Sequence, residues 1–511
     1  MTRKLDCDGI TFNLSQSGIS CDITDFDNLL FSKKIINHFK IKQTSILGHI
    51  KYVLNHKKNI KKQIYIFPRF GFLEYIYKKL TNYIFIDKTY LGIKPEIKFK
   101  WTGKYNENQN VIANYILDKH FIVSNTKIID LASNINKGLI LNLEAGQGKT
   151  YLATGLIQKI KKKTLVVCHN KTIMHQWIKI LKESYPTNTI AHFYGELKED
   201  GDIIVGVINS LLMQNKQYFA KFGFTILDEV HEYCSNNRKQ IYKLASSQFM
   251  LGLSATPNDR GDGLDNINIW NCGQILNAID IHDYKQNQSN FKGEITMIKY
   301  LGPSEYTKII TNKKLDIVSF SKMVNQLCDD PYRLYIIVKM IYDLRQQNKF
   351  ILIFADRISY LELIQDTLKK FKVYDVQILD KPLNKVKSKK LVGGASAEDI
   401  EYAKKNSNVI LSTYQYFGTG VSIAKLDSII LTTPRKRKSK QYIGRIFRLG
   451  SDETIVRQII DLVDWNTIMK NQWYLRKHYY NEMQYPITIK KIDYITIEKE
   501  MLELDNTNSY N

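Results

Sequence analysis

Four short segments carry residue types suited to phosphate chemistry, and they fall in one order along the chain. They are Gly146-Gln147-Gly148-Lys149-Thr150, Asp228-Glu229-Val230-His231, Ser254-Ala255-Thr256 and Gln441-Tyr442-Ile443-Gly444-Arg445-Ile446-Phe447-Arg448. The first follows an apolar run, Leu139 to Leu143, and opens a helix-like stretch. In that setting backbone N–H groups and a helix N-terminus cradle phosphate oxygens. Gly146, Gln147, Gly148, Lys149 and Thr150 are therefore the expected phosphate binders, with Lys149 on the terminal phosphates and the Thr150 hydroxyl on Mg²⁺. Leu143 stands where the strict G-x-x-x-x-G-K-[ST] pattern has its first glycine. A glycine-rich turn that binds nothing is the competing reading, which the strand–turn–helix context disfavours. Asp228 and Glu229 close a second apolar run, at the sheet edge where open parallel sheets bind ligands. Neighbouring strand side chains point opposite ways. Asp228 is thus expected to hold Mg²⁺ and Glu229 to act as general base toward water. Arg445 and Arg448 are candidate arginine fingers. The chemistry implied is hydrolysis of a nucleoside triphosphate, with its parts divided between two halves of the chain.

The elements that must position these residues alternate between short apolar runs and helix-like stretches. Strands are expected at Leu139–Leu143, Thr164–Cys168, Ile203–Ile208 and Phe224–Leu227, with helices at Thr150–Lys161 and Lys171–Glu183. The pattern then restarts, with strands at Phe350–Phe354, Asn408–Leu411 and Asp427–Thr432 and helices near Tyr360–Lys370 and Ser439–Leu449. Such βα alternation implies parallel sheets covered on both faces. The fold class is α/β: two tandem parallel-sheet domains, at 99–285 and 286–485, after a small N-terminal accessory domain at 1–98. Residues 486–511 read as a C-terminal tail, frayed from about Asp505, and Lys381–Lys390 as an exposed loop. The basic stretch Lys51–Lys62 reads as a solvated face ahead of a binding site.

Composition bounds the partners. The 511 residues carry a formal net charge of +24, which invites nucleic acid. Lysines number 61 and arginines 13, a bias that an AT-rich genome would also impose. Four of the arginines (Arg435, Arg437, Arg445, Arg448) nonetheless fall within fourteen residues, where a planar, bidentate cation is evidently wanted. The six cysteines form no C-x-x-C pair and no cluster of zinc-ligand spacing, so no structural metal is expected and a reducing compartment fits. No apolar run approaches a membrane span and the N-terminus lacks a signal-peptide stretch. A soluble intracellular monomer is expected.

With these residues in view, the chain resembles superfamily 2 helicases and translocases of the DExH kind over about residues 99–480. The resemblance implies RecA-like domains, ATP and Mg²⁺ as cofactors, and further roles. Gln109, in Trp101–Gln109, would read adenine; Gly420 and Gln441 would also face the nucleotide. His231, Ser254 and Thr256 would couple hydrolysis to strand handling. His169, Lys171, Gln176, Trp177, Ser210 and Thr413 would touch the nucleic-acid backbone. The flanks Leu251–Arg260 and His169–Trp177 are similar to the XPB-like branch. Pro434-Arg435-Lys436 resembles the transcription helicases of poxviruses and giant viruses. One departure is Ser422, where many relatives carry Asp, which puts a ribose or interdomain contact in doubt. DNA is the favoured track, RNA the alternative, and a non-motor scaffold of a transcription machine the third reading. RNA polymerase or other transcription factors are candidate partners. The resemblance implies host cytoplasm or virion if the protein is viral, with the nucleus as alternative. Pro434–Lys440 reads as a phosphate-contacting or solvated segment ahead of a nuclear import signal.

Overall fold

A computed structural model describes residues 5–15, 18–29, 31–44, 50–54, 56–87, 96–121, 137–144, 146–245, 247–258, 263–285, 292–312, 317–370, 372–373, 376–377, 386–418, 423, 425–435, 442–444, 446–447 and 454–508. The chain forms two compact units, Met1–Gln286 and Asn287–Asn511.

In the first unit an N-terminal sheet precedes the α/β sheet. It contains β1 (Leu5–Ser15), β2 (Gly18–Asp22), β5 (Lys57–Asn59), β6 (Ile64–Phe67) and β7 (Leu80–Asp87), in the order β5-β6-β2-β1-β7. A separate antiparallel hairpin pairs β3 (Lys40–Thr44) with β4 (Ile50–Leu54). The larger sheet comprises β8 (Gly138–Asn142), β9 (Thr164–Cys168), β10 (Ile190–Tyr194), β11 (Leu197–Lys198), β12 (Ile203–Val207), β13 (Phe224–Asp228), β14 (Phe249–Ser254) and β15 (Gln274–Asn277). Its order is β11-β10-β12-β9-β13-β14-β8-β15. All neighbours run parallel except the β10–β11 pair. Every residue of β9, β12, β13 and β14 is buried, as strands covered on both faces must be.

The N-terminal accessory region shares a hydrophobic cluster with the larger sheet. Phe12, Phe72 and Leu73 belong to the same hydrophobic cluster as Leu165, Val167 and Met250 of the larger sheet. Gly71, on the helix Arg69–Lys79, lies so close to Trp270 that a Cβ would come within 2.6 Å of its ring. Buried Arg69 donates to the carbonyls of Ser247 and Gln248 at the start of β14. The expected boundary at residue 98 therefore separates segments of sequence that share one core.

The second unit holds β16 (Gly293–Leu301), two small hairpins, β17 (Thr311–Asn312) with β18 (Ile317–Val318) and β20 (Lys372–Val373) with β21 (Val376–Gln377), and the strands β19 (Ile351–Ala355), β22 (Ser388–Leu391), β23 (Val409–Thr413), β24 (Ser428–Leu431), β25 (Arg457–Asp464) and β26 (Ile487–Asp493). The main sheet is parallel, in the order β22-β23-β19-β24-β25-β16-β26. Two expectations change here. The supposed tail supplies β26, paired with β16, and the helix Tyr494–Asn508. Ser388–Lys390, at the end of the expected Lys381–Lys390 loop, belong with buried Leu391 to the edge strand β22. The helix expected at Ser439–Leu449 lies largely outside the described residues.

Strand β25 holds helices on both of its faces through buried ion pairs. Arg333, from the helix Pro331–Gln346, grips Asp464 with Nε at 2.8 Å and Nη2 at 3.2 Å. Arg476, from the helix Asn471–Glu482, grips Asp461 with Nε at 2.7 Å and Nη2 at 2.8 Å. Positions 461 and 464 are an odd number apart, so the carboxylates face opposite ways. Each fork matches its carboxylate bidentately.

Arg69→Met should cost about 2–3 kcal/mol, since it leaves two buried carbonyls without their charged donor. Urea unfolding followed by tryptophan fluorescence checks this. A loss below about 0.5 kcal/mol would show that the N-terminal sheet is only loosely attached.

Candidate active site

Strand register assembles the site. Asn142 of β8 pairs with Ser254 of β14, and Leu253 beside it pairs with Asp228 of β13. Leu227 pairs with Val167 of β9, and Cys168 with Val207 of β12. Because these strands run parallel, the loops that follow them all leave at one edge, where open α/β sheets bind ligands.

The loop after β8 has the form of a phosphate cradle. Gly146 and Gly148 adopt φ of +85° and +77°, which glycine tolerates without a steric penalty. A Cβ on Gly148 would also come 2.5 Å from Gln109 Nε2. The Leu143 N–H donates to the Ser254 carbonyl at 3.2 Å. Lys149 Nζ donates to the carbonyls of Leu143 (2.8 Å) and Glu144 (3.1 Å), so its ammonium lies over the loop. Leu143 contributes a carbonyl there and buries its side chain, which explains why this position does not need glycine. The helix Lys149–Ile160 starts at Gly148 with no side-chain cap, so its first N–H groups suit an anion.

Gln109 reaches this loop from another helix, Glu107–Lys119. Its N–H donates to the Asn106 side chain (2.8 Å) and its Oε1 accepts from the Asn106 N–H (3.1 Å), a reciprocal cap. Its Nε2 donates to the Gly148 carbonyl at 3.5 Å. An aromatic group holds the preceding segment in place: Tyr105 donates to the Leu152 carbonyl at 2.6 Å, and the Lys104 N–H donates to the Tyr151 hydroxyl at 3.0 Å.

Asp228 and Glu229 diverge for a reason other than strand alternation. Asp228 ends β13, and Glu229 turns out of the strand with a left-handed φ of +51°. Asp228 is buried, accepting from Trp177 Nε1 at 2.8 Å and from the Glu229 N–H at 3.0 Å. Burial, and then the Glu229 carboxylate, raise its pKa against the opposing pull of the Trp177 hydrogen bond and Lys149. A buried carboxylate in that state favours a cation. Among the described residues no group of three or more His, Cys, Asp or Glu could hold a metal unaided. A single buried carboxylate such as Asp228 suits a Mg²⁺ that takes most of its ligands from phosphate and water.

Sequence reasoning placed Trp177 on the nucleic acid; the structure does not. Its side chain is only 1% exposed, on the inner face of the helix Lys171–Ser184 with Ile173, Met174 and Ile178, and it orients Asp228. The apolar spacing of that helix could have assigned Trp177 to the inside. Ser254, fully buried, joins three segments: its hydroxyl meets His231 Nδ1 at 3.0 Å and accepts from the Thr256 N–H at 3.0 Å, while its carbonyl takes the Leu143 N–H. His231 Nδ1 also lies 3.4 Å from Glu229 Oε2.

The remaining assigned residues of the first unit follow β9 and β12. His169 follows β9, where burial lowers its pKa to about 4, so at neutral pH it is an uncharged hydrogen-bonding group. Lys171 and Gln176 are exposed, and Lys171 Nζ lies 4.8 Å from the Tyr194 ring centroid. The Ser210 hydroxyl accepts from the Gly195 N–H at 2.9 Å. In the second unit Thr413 ends β23 and its hydroxyl accepts from the Tyr416 N–H at 3.2 Å. Gly420, Ser422, Gln441, Arg445 and Arg448 lie outside the described residues. Their neighbours Tyr442, Ile443, Ile446 and Phe447 are buried in the second unit's core. Arg435, grouped with the arginine cluster, pairs with Asp356 at 3.0 Å.

Fold and loop together define an α/β protein that binds nucleoside triphosphates. Residues 102–259 match the family described as "Type III restriction enzyme, res subunit". The chain is 34% identical over 369 residues to the "Putative ATP-dependent RNA helicase QP509L" of African swine fever virus (isolate Warthog/Namibia/Wart80/1980), covering 68% of each protein. It is 28% identical over 449 residues to the "Putative ATP-dependent RNA helicase L396" of Acanthamoeba polyphaga mimivirus, covering 85% of this chain and 81% of that one. It is 25% identical over 458 residues to the "Transcript termination protein A18" of Yaba-like disease virus, covering 83% and 88%. The chain belongs to the superfamily 2 helicases of the DExH kind, as a nucleotide-hydrolysing helicase related to these viral proteins. Among the described residues, no helix is long and apolar enough to cross a membrane.

Trp177→Phe keeps most of the packing and removes the donor to Asp228. ATP hydrolysis at fixed divalent-cation concentration should fall about 10-fold, with a higher cation requirement, and the melting temperature should fall by only a few degrees, the cost of a smaller ring and a lost buried hydrogen bond. Superimposable cation titrations for the two proteins would remove Trp177 from the site.

Proposed function

We propose that this helicase moves along DNA during transcription, driven by ATP hydrolysis. The observation that carries the reading is the shared edge of β8, β13 and β14, where an open cradle, a buried carboxylate and the His231–Ser254 link adjoin. Lys149 and the loop N–H groups hold the phosphates, and Gln109 reads the base. Glu229 accepts the proton of the attacking water. When bound through Asp228 and Thr150, Mg²⁺ supplies charge neutralisation on the phosphates. Arg445 and Arg448, with Gly420 and Gln441, act on the nucleotide from the second unit, so hydrolysis changes what that unit is bonded to. His231, Ser254 and Thr256 carry the change to the strand-handling residues His169, Lys171, Gln176, Ser210 and Thr413. Such contacts address phosphates and not bases, as a motor requires.

The transcriptional role is supported by the name of the poxviral relative, a transcript termination protein; RNA polymerase or another transcription factor is the partner that such a role would call for. DNA is supported by the XPB-like flanks; RNA is the second reading, favoured by the names of the asfarviral and mimiviral relatives.

Lys149→Ala should abolish nucleic-acid-stimulated ATPase while nucleic-acid binding persists, and Arg448→Ala should cost on the order of 10³-fold in rate. Stimulation is to be compared across duplex DNA, single-stranded DNA and RNA, with strand displacement on tailed duplexes. Normal hydrolysis by Lys149→Ala would sink the motor reading. Stimulation by RNA equal to or above that by DNA would replace the DNA track.

A further inference from the structure

The basic stretch Lys51–Lys62 plays no part in the nucleotide site, and the structure divides it. Lys58 is paired with Asp27 at 2.8 Å. Lys57, its neighbour on β5, instead lines a cavity of about 190 Å³ between the N-terminal strands and the helical segments Lys216–Phe219, Arg238–Leu244 and Asp265–Cys272. Across the cavity stand Lys216, Lys239 and Lys243, with His56 beside them and buried Tyr242 at the wall. No carboxylate among the described residues lines it. Among the described residues Lys57, Lys216 and Lys243 have no acidic partner, whereas other lysines of this unit, such as Lys163 and Lys221, share Asp200. His56 Nδ1 is buried without a hydrogen-bond partner.

The location separates this cavity from the nucleotide site. Lys243 and Asn271 precede β14 and β15, and Pro68 adjoins Arg69, which bonds to the start of β14. The cavity therefore lies toward the amino edge of the sheet, whereas the cradle lies at the carboxyl edge. Like charges gathered around a recess repel one another. Lys57, Lys216 and Lys243 are solvent-exposed at the rim of the recess, yet partial desolvation and then the neighbouring lysines Lys62, Lys57 and Lys243 lower the pKa of Lys216, and partial desolvation and Lys57 lower that of Lys243. A dense anion with several acceptor oxygens relieves that repulsion, and a phosphate group does so with one oxygen for each of several donors.

We infer that this cavity is a second phosphate-binding site, independent of the ATP site, with Lys57, Lys216 and Lys243 as its cationic donors. The phosphate belongs either to a nucleic-acid backbone lying along the N-terminal sheet or to a free phosphate or polyphosphate.

The test uses the full chain in two arms. In a Lys149→Ala background, which weakens the cradle, tripolyphosphate should raise the melting temperature, and adding Lys216→Gln with Lys243→Gln should remove that rise. In phosphate-free buffer the added substitutions should leave the melting temperature unchanged or higher, because repulsion is relieved. In the otherwise native chain, the same pair should reduce the slope of log affinity against log salt by about 2 for a short duplex or RNA. Lys57→Gln, on the opposite wall, should weaken both effects in part. Loss of the thermal rise together with a reduced slope identifies the nucleic-acid backbone. Loss of the rise with an unchanged slope identifies free phosphate. A rise that survives the substitutions, or no rise at all, combined with an unchanged slope would overturn the inference.

Discussion

A carboxylate held out of water at the end of a buried strand is the constraint around which the first unit is organised. Asp228 cannot be stabilised there by solvent, and Glu229 beside it makes ionisation harder still. The chain answers with the Trp177 indole and the Glu229 N–H, both donating to the carboxylate, and with Lys149 nearby in the cradle. Two donors orient an anion but do not neutralise it. The remaining demand is for a cation, which a nucleotide would bring with its phosphates. Packing of the helix Lys171–Ser184 thus bears directly on phosphate chemistry, because the residue that anchors the helix in the core is also the donor.

Ser254 extends that constraint across the sheet. With no exposed surface, it bonds to the strand that launches the cradle, to the histidine following the acidic pair and to the turn that leads out of β14. A shift in any one of these three segments strains the other two, since a buried hydroxyl that loses a partner finds no water to replace it. The second unit uses a related device for rigidity. Asp461 and Asp464 on one strand grip arginines from helices on opposite faces, which fixes both layers relative to β25. A buried pair of this kind is costly to break, whatever its net contribution to stability.

The N-terminal region packs into the same hydrophobic cluster as the larger sheet. Residues before 98 carry none of the nucleotide motifs. Their aromatic residues nonetheless complete the hydrophobic cluster beneath the larger sheet, and Gly71 permits the close approach of Trp270. The same layer carries Lys57 to Lys216 and Lys243, residues about 160 and 190 positions away in the chain, giving a basic stretch a recess that its composition could not announce.

The elements and the chemistry of local motifs are legible in the chain alone. Thr164–Cys168 is a strand in both readings, and the helices after Gly148 and Asn170 begin within a residue of where their patterns start. These features depend on periodicity and on turn residues close together in the chain, so they are legible without tertiary context. The family was legible as well, because its motifs combine several short patterns in a fixed order. Tertiary structure decided the rest. It made Trp177 a partner of Asp228, turned Glu229 aside through a left-handed backbone, and recruited Ile487–Asp493 to the edge of the second sheet. Each of these outcomes depends on which distant surfaces meet, and burial against a particular neighbour is a property of pairs of segments that no single segment encodes.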